Sequence, residues 1–446
     1  MMHATKPNDW KPVGQIKFKG RFLVFWGGFF MVLAACAPLA IAFYNIPIYT
    51  PYLPFLAVVV LALFMWLLRS RRLIRRREEF AFVSAQALIV LTSVASVDPN
   101  EAISASIVAI YAAGIFLIVR YFLTIQLLKK TDLLVWSAII FALLTVVALL
   151  QFILQSNIGI VSTYFGKNFA EGTYADEALR ISSTFGNANV FSQVYTIYGT
   201  ILVSSCLFYF RWLRLALLLS CLIIFVVAIS LSRSGIIFTL FLQIAIYLYW
   251  VMSSRRRRGE RMAVVGIIVV CASAILGISS LYITDDLIPG ASRFADFSDS
   301  GRLETYFGAM QLLQDPFVAL FGVGSGQFFE GSAIHGIYYG YKVWLQPYEL
   351  KSTVHNWFLQ IATENGVVVL FLYVYAIFKT ARRGWSIRKL SDGWLAASLA
   401  ITMLSLYMTA LQFGTTGTTP WILTPIAIIL AWIQNEYDKS KKRNLA

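Results

Sequence analysis

Runs of about twenty apolar residues recur along most of the chain. At 1.5 Å per helical residue, each is long enough to cross the ~30 Å hydrocarbon core of a bilayer. Twelve can be drawn, at residues 22–44, 50–69, 80–97, 103–123, 132–154, 189–210, 213–231, 235–252, 262–283, 356–378, 393–412 and 419–434. The third is diluted by Ser and Gln, and the last is short. Inside lipid every backbone amide must be satisfied internally, so spans of this length are helices. The composition agrees, with 59% hydrophobic residues, 13% charged residues and a mean hydropathy of +0.71. A soluble domain could not hide so much apolar surface. The expected fold class is an all-α polytopic membrane protein of about 12 transmembrane helices, one integral membrane domain over 1–446. The basic N-terminal segment leads into an apolar run without a well-placed small-residue cleavage site, so the first span is expected to stay uncleaved. Cys36, Cys206, Cys221 and Cys271 fall in apolar spans without metal-ligand spacing and read as small core residues.

The net charge of +15 could suggest a nucleic-acid partner, but its distribution argues against one. Basic residues cluster at alternate span ends: Lys6 to Arg21, Arg69 to Arg77, Arg120, Lys129 and Lys130, Arg211 and Arg214, Arg255 to Arg261, Lys379 to Lys389, and Lys439 to Arg443. These hold 30 of the 37 lysines and arginines, so the positive-inside rule puts them, and both termini, in the cytoplasm. The other side keeps Lys167, Arg180, Arg233, Arg293, Arg302, Lys342 and Lys351. Two polar segments there are long enough to carry chemistry, a first external loop at 155–188 and a large one at 284–355. In the second, GRLETYFGAMQLLQ places Leu303, Tyr306, Phe307, Met310 and Leu313 at helical spacing before Pro316. Short helices are expected in this loop, and this one could lie along the membrane interface.

The outer basic residues are few and sit in motif-like settings. Arg180 precedes ISSTFGNAN, Arg233 sits in SRSG at the mouth of a span, and Arg302 sits in DSGR. A lone arginine of this kind is ordinarily a solvated charge or a headgroup anchor. Arg233 interrupts two strongly apolar spans, where a cation is expensive and needs an anionic partner. Several arginines converging on one pocket would suit a pyrophosphate, because guanidinium groups fork onto phosphate oxygens and stay charged. His355 opens the tenth span. It reads either as an interfacial histidine bonded to a backbone carbonyl or as a general base, since its ordinary pKa leaves it largely neutral at pH 7. Asn356 beside it could orient the ring or a sugar hydroxyl. Glu364, further along the same span, needs a partner, and an arginine is one candidate. His335 is flanked by Gly and Ile and makes the weaker case of the two loop histidines. The run FGVGSG, with Gly322, Gly324 and Gly326, follows no strand and opens no βαβ unit, so it reads as a tight turn whose backbone can approach a ligand. Asp285, Asp286, Asp296 and Asp299 match no metal-loop spacing, and metal-independent chemistry without a cofactor is expected.

In order, these stretches are RISSTFGNANVFSQ, SLSRSG, SGRLETYFGAMQLLQDPFVALFGVGSGQF and HNWFLQIATENGVVVLFL. Together they resemble the O-antigen ligase and O-antigen polymerase superfamily of bacterial envelope glycosyltransferases, closely over about 175–375 and loosely along the whole span plan. The resemblance implies a multi-pass protein of the bacterial cytoplasmic membrane with an extracytoplasmic active face. It implies transfer of a glycan from undecaprenyl pyrophosphate to a glycan or lipid A core hydroxyl. It also implies that Arg180, Arg233 and Arg302 bind the pyrophosphate and that His355 acts at the transfer centre with Arg302. Asn356, Asp299, Tyr306 and Glu364 stand in support. Members often carry Trp where this chain has Tyr306, a departure that bears on packing more than on catalysis.

The residues fit such chemistry. Displacing a sugar from pyrophosphate needs the leaving diphosphate neutralised, which arginines do without a metal. It also needs the acceptor hydroxyl deprotonated as it attacks, which His355 could do from the opposite face, inverting the anomeric centre. The tyrosine-rich stretch 327–354 could stack on sugar rings. Two alternatives stand beside this reading. One is a polysaccharide or lipid-linked-sugar transporter or flippase, for which twelve spans are a common plan, although carriers tend to show related halves and charges near the midplane. The other, within the same class, is a protein O-oligosaccharyltransferase.

Overall fold

The computed structural model describes residues 76–96, 98–126, 128–154, 187–253, 302–337, 356–390, 393–413 and 420–445, with a few isolated positions between them. The first, second and ninth expected spans lie outside the described residues, as do large parts of both polar loops.

Within the described residues the chain is helical almost throughout. The helices are α1 Arg77–Val94, α2 Pro99–Thr124, α3 Lys130–Leu154, α4 Ala188–Ser205, α5 Leu213–Ile229, α6 Arg233–Ser253, α7 Arg302–Leu312, α8 Pro316–Phe321, α9 Phe328–Ile334, α10 Trp357–Asn365, α11 Val367–Ser386, α12 Gly393–Phe413 and α13 Pro420–Leu445. A π-helical turn, Cys206–Phe210, extends α4. Two two-residue hairpins interrupt the all-helical pattern in the first polar loop. They pair Thr163–Tyr164 with Lys167–Asn168 and Tyr174–Ala175 with Ala178–Leu179. Among the described residues, three helical stretches are long and apolar enough to cross a membrane, Lys130–Leu154, Ala188–Phe210 and Arg233–Ser253. Helices α1 to α6 match the third to eighth expected spans to within a few residues. The protein is an integral membrane protein built on apolar helices.

α4 is the centre of the bundle, buried along most of its length and packed against α3, α5, α6, α12 and α13. Small residues let its neighbours come close. A Cβ at Gly199 would sit 2.6 Å from Ile223 Cδ1 and 2.9 Å from Phe141 Cε2. Between α4, α5 and α6 runs a seam of buried hydrogen bonds: Thr196 to Thr239 at 2.6 Å, Gln243 Nε2 to Thr200 Oγ1 at 3.0 Å, and Ser220 Oγ to Gln243 Oε1 at 3.0 Å. Between apolar helices such bonds fix register, because no hydrophobic difference between lipid and leucine can do so. A second layer packs α1, α2, α11 and α13 together, with α12 and α13 shared between the layers.

One end of the bundle closes on a buried charge cluster. Arg120 of α2 donates from Nε to Glu79 Oε1 at 2.9 Å and also pairs with Asp438 of α13. Arg76, which caps α1, donates from Nε to Asp438 Oδ1 at 2.9 Å. Arg383 of α11 pairs with Glu78, and Lys130 at the start of α3 lies 3.7 Å from Glu436. These partners carry α13 to Leu445, well past the apolar stretch that ends at 434. The basic clusters expected on one side of a membrane at α1, α2, α3, α11 and α13 thus share one end of the bundle.

The tenth span is not the single helix its apolar run suggests. Gly366 has φ of +87° and separates α10 from α11. In one continuous helix Trp357 and Tyr373 would be about 24 Å apart. Here their rings meet edge to face at 5.3 Å, and Trp357 also reaches Tyr407 of α12 at 4.7 Å. The chain therefore turns sharply at Gly366. Only glycine fits at this turn, because a Cβ at Gly366 would overlap the Leu320 carbonyl.

Candidate functional site

The four motifs form two groups. The first begins where α3 ends. Gln151 accepts from Ser182 N at 3.3 Å and Ser183 N at 2.9 Å, and donates from Nε2 to Ser183 O at 2.7 Å. All three residues are buried, and Ser183 holds φ of +50°. This one side chain satisfies three backbone groups and docks RISSTFGNAN onto α3. Asn187 then caps α4, its Oδ1 accepting from Asn189 N at 2.9 Å and Val190 N at 3.3 Å.

Asn189 makes the link to the second motif. Its Oδ1 accepts from Ser232 Oγ at 2.7 Å, and Ser232 Oγ in turn accepts from Gly235 N at 3.0 Å. Ser192 Oγ reaches Ser232 Oγ at 3.2 Å. A Cβ at Gly235 would overlap Ser192, so the first turns of α4 and α6 touch almost backbone to backbone. Leu231, at φ of +51°, makes the tight turn from α5. Arg233 is thereby fixed as the first residue of α6, half-buried, at a helix start where partial positive charge already favours an anion.

The second group assembles around α10. Asn356 caps it, its Oδ1 accepting from Phe358 N at 3.0 Å and Leu359 N at 3.1 Å. At the other end its last carbonyls lack helical partners, and the glycine run supplies them. Val323 N donates to Thr363 O at 2.9 Å and Gly324 N to Glu364 O at 2.8 Å. Gly322, Gly324 and Gly326 all have positive φ, and a Cβ at Gly322 would overlap the Glu364 carbonyl. The tight turn expected of FGVGSG is present, but what its backbone approaches is the end of α10. Glu364 is buried, and among the described residues its partners are Gly326 N at 3.0 Å and Gln360 Nε2 at 3.2 Å. Ser325 Oγ donates to Asn365 Oδ1 at 2.8 Å, and Ser93 Oγ of α1 donates to Ser325 Oγ at 3.1 Å. Beneath lies a small apolar core of Ala309, Leu312, Val318, Val323, Phe328 and Val354, with Tyr306 packed half-buried against it.

Both groups lie at the same end of the bundle. α3 runs from Lys130 in the charge cluster to Gln151 in the first group. α1 runs from Arg76 in the charge cluster to Ser93 in the second. α12 touches α4 and α6 of the first group and α10 of the second. Of the expected site residues, Arg180, Asp299 and His355 lie outside the described residues, and Arg302 is described only as the first residue of α7. Arg233, Asn356, Tyr306 and Glu364 are placed as above. Gln151, Asn189, Ser232 and Asn365 order the site without having been singled out. An Asn just ahead of an apolar run, Asn187 in NANVF and Asn356 in HNWFL, is the cap signature that marks the two helix starts.

Residues 215–374 match the O-antigen ligase family. That segment, about a third of the chain, is similar to O-antigen ligases. No curated protein matches the chain. The ligase segment holds SRSG, the α7–α9 motif and α10 with its glycine cap, while RISSTFGNAN lies outside it and joins through the Asn189 to Ser232 bond. The ligase family implies a membrane glycosyltransferase of ligase or polymerase type, working in polysaccharide biosynthesis from a lipid-linked glycan to a glycan acceptor.

Proposed function

We propose that the protein transfers a glycan from undecaprenyl pyrophosphate to an acceptor hydroxyl outside the cytoplasmic membrane, without a metal and with inversion at the anomeric carbon. The observation that carries this reading is the fixing of Arg233, inside the ligase segment, at the start of α6 by Asn189 and Ser232. An arginine at a helix start is suited to a phosphate, because the guanidinium forks onto phosphate oxygens and the helix end favours negative charge. In this reading the protein has twelve spans with both termini cytoplasmic. The charge cluster marks the cytoplasmic end, and the loops at 155–188 and 284–355 cover the opposite face.

Arg180, Arg233 and Arg302 neutralise the pyrophosphate. His355 takes the proton of the acceptor hydroxyl while its oxygen bonds to the anomeric carbon. The bond from that carbon to the pyrophosphate oxygen breaks, and undecaprenyl pyrophosphate leaves as the anion. Asn356 holds the start of α10, Glu364 holds its end against the glycine turn, Tyr306 packs α7 beneath them, and Asp299 adds support from the loop. The acceptor is a lipid A core sugar in a ligase or the end of a second lipid-linked repeat in a polymerase.

The test is glycan analysis of a deletion strain complemented with wild type, Arg233→Lys or His355→Ala. The deletion should leave either single repeat units on the acceptor or full-length chains on undecaprenyl pyrophosphate. The first outcome marks a polymerase and the second a ligase. Neither variant should restore the surface ladder. Full complementation by His355→Ala would remove it as the base, and a deletion that leaves both pools normal would overturn the reading.

A further inference from the structure

The loop helices carry an apolar surface that the proposed reaction does not use. α8 reads PFVALF and has no polar side chain. Val318 turns inward to the small core, while Phe317, Leu320 and Phe321 are 50–61% exposed. On a water-facing loop an amphipathic helix would show its polar side, and this one has none to show. The patch continues onto α11. The close approach of Leu320 to Gly366 puts the end of α8 at the start of α11, and the two helices pack together. There Val367, Val368 and Phe371 are also exposed, followed down the same helix by Val374 and Phe378. Phe317, Phe321 and Phe371 alone, at half to two-thirds exposure, present roughly 300–400 Å². A patch of that size is among the largest a protein surface ordinarily shows, and such patches are often functional.

We infer that α8 is seated in the hydrocarbon edge of the membrane, its occupant being phospholipid acyl chains, as one continuous surface with the lipid-facing row of α11. The argument is continuity. α11 is an apolar bundle helix whose row Val367, Val368, Phe371, Val374 and Phe378 needs an apolar medium, and α8 extends that row beyond the helix end. The polar contacts of α8 lie at its start: Asp315 caps it by accepting from Phe317 N at 2.7 Å, and His335 Nδ1 lies 3.5 Å from Asp315. Seated so, α8 sets the depth of the glycine turn and, through it, of α10. The reacting groups of a lipid-linked donor would then be met at one fixed level. This inference rests on the reading of α11 as a membrane helix.

Spin labels at single cysteines test it. In a background free of Cys36, Cys206, Cys221 and Cys271, the full chain carries Phe317→Cys, Leu320→Cys, Phe371→Cys or Gln314→Cys, each at an exposed position. The protein is reconstituted in phosphatidylcholine and phosphatidylglycerol vesicles, and collisions with oxygen are compared with collisions with a water-soluble nickel chelate. Labels at 317 and 320 should favour oxygen as strongly as the label at 371, and the label at 314 should favour nickel. If 371 favours oxygen while 317 and 320 favour nickel, the helix faces water and the inference is wrong. If 317 and 320 meet neither reagent, another part of the chain or a second copy covers the patch, which also overturns it. If 371 itself favours nickel, the membrane reading of α11 fails and takes the inference with it.

Discussion

Gly366→Ala tests the turn on which the second group of motifs depends. Two separate effects apply. The backbone at φ +87° and ψ 158° lies in a region that is open essentially to glycine, and a side chain there costs about 1–3 kcal/mol. The new methyl would also overlap the Leu320 carbonyl oxygen, with the carbonyl carbon at 2.6 Å and Phe321 N at 3.0 Å. These neighbours are backbone, so relief requires α8 to part from the start of α11, which breaks into the packing of the small core. Overpacking of this kind adds about 1–3 kcal/mol. Gly336→Ala is the internal control: its φ is +66°, nothing lies within 4 Å of the added carbon, and only a conformational cost of about 1–2 kcal/mol applies. The two variants should therefore differ by roughly 2 kcal/mol. Equilibrium unfolding by SDS titration in mixed micelles reads the difference. If Gly366→Ala is no less stable than Gly336→Ala, the close approach of α8 to the α10–α11 turn is not present in solution and the second group falls apart as argued.

Other expected outcomes follow from the same contacts. Asn189→Ala leaves Ser232 without its acceptor, a loss of about 1–3 kcal/mol. If the residue positions Arg233, the variant raises KM for donor more than it lowers kcat, and Asn189→Asp, which keeps an acceptor, restores the wild-type KM. Arg120→Met strands the buried Glu79, and SDS titration should show a loss of about 3–5 kcal/mol that the double variant Arg120→Met/Glu79→Met partly recovers. Burial alone would raise the Asp438 carboxyl, but Arg120 and Arg76 more than reverse this and hold it below its usual value. Its contribution is complete above the unfolded-state value near 4 and is lost as pH falls through the lower folded value. Wild type should therefore lose more stability than Asp438→Asn between about pH 5 and pH 2, with the gap constant above pH 6.

Helices α1 to α6 were legible because apolar run length is a strong signal where lipid is the solvent. Arg233 stands out in the sequence as a charge between two apolar runs, and it opens α6. The break at Gly366 was not, since ENGVVV continues the same hydropathy and what forbids a straight helix is the carbonyl of Leu320, distant in sequence. The described partners of Glu364 are hidden for a related reason: they are a backbone amide in the glycine turn and a neutral glutamine, and no charge pattern announces them. Gln151 escaped notice because a single amide in an apolar run looks incidental until the backbone groups it satisfies are known. By its charge pattern Arg120 is one more cytoplasmic positive charge, yet it is buried and joins α2 to α1 and α13.

The central claim is that the glycan leaves pyrophosphate for an acceptor oxygen on this protein. The most direct measurement reconstitutes the purified chain in vesicles with an undecaprenyl-pyrophosphate-linked glycan and a candidate acceptor, and follows undecaprenyl pyrophosphate release together with acceptor mass. The account predicts one undecaprenyl pyrophosphate released per glycan gained by the acceptor, with Arg233→Ala abolishing both. Donor that crosses the bilayer intact, with no product on any acceptor, would contradict it and point instead to a carrier.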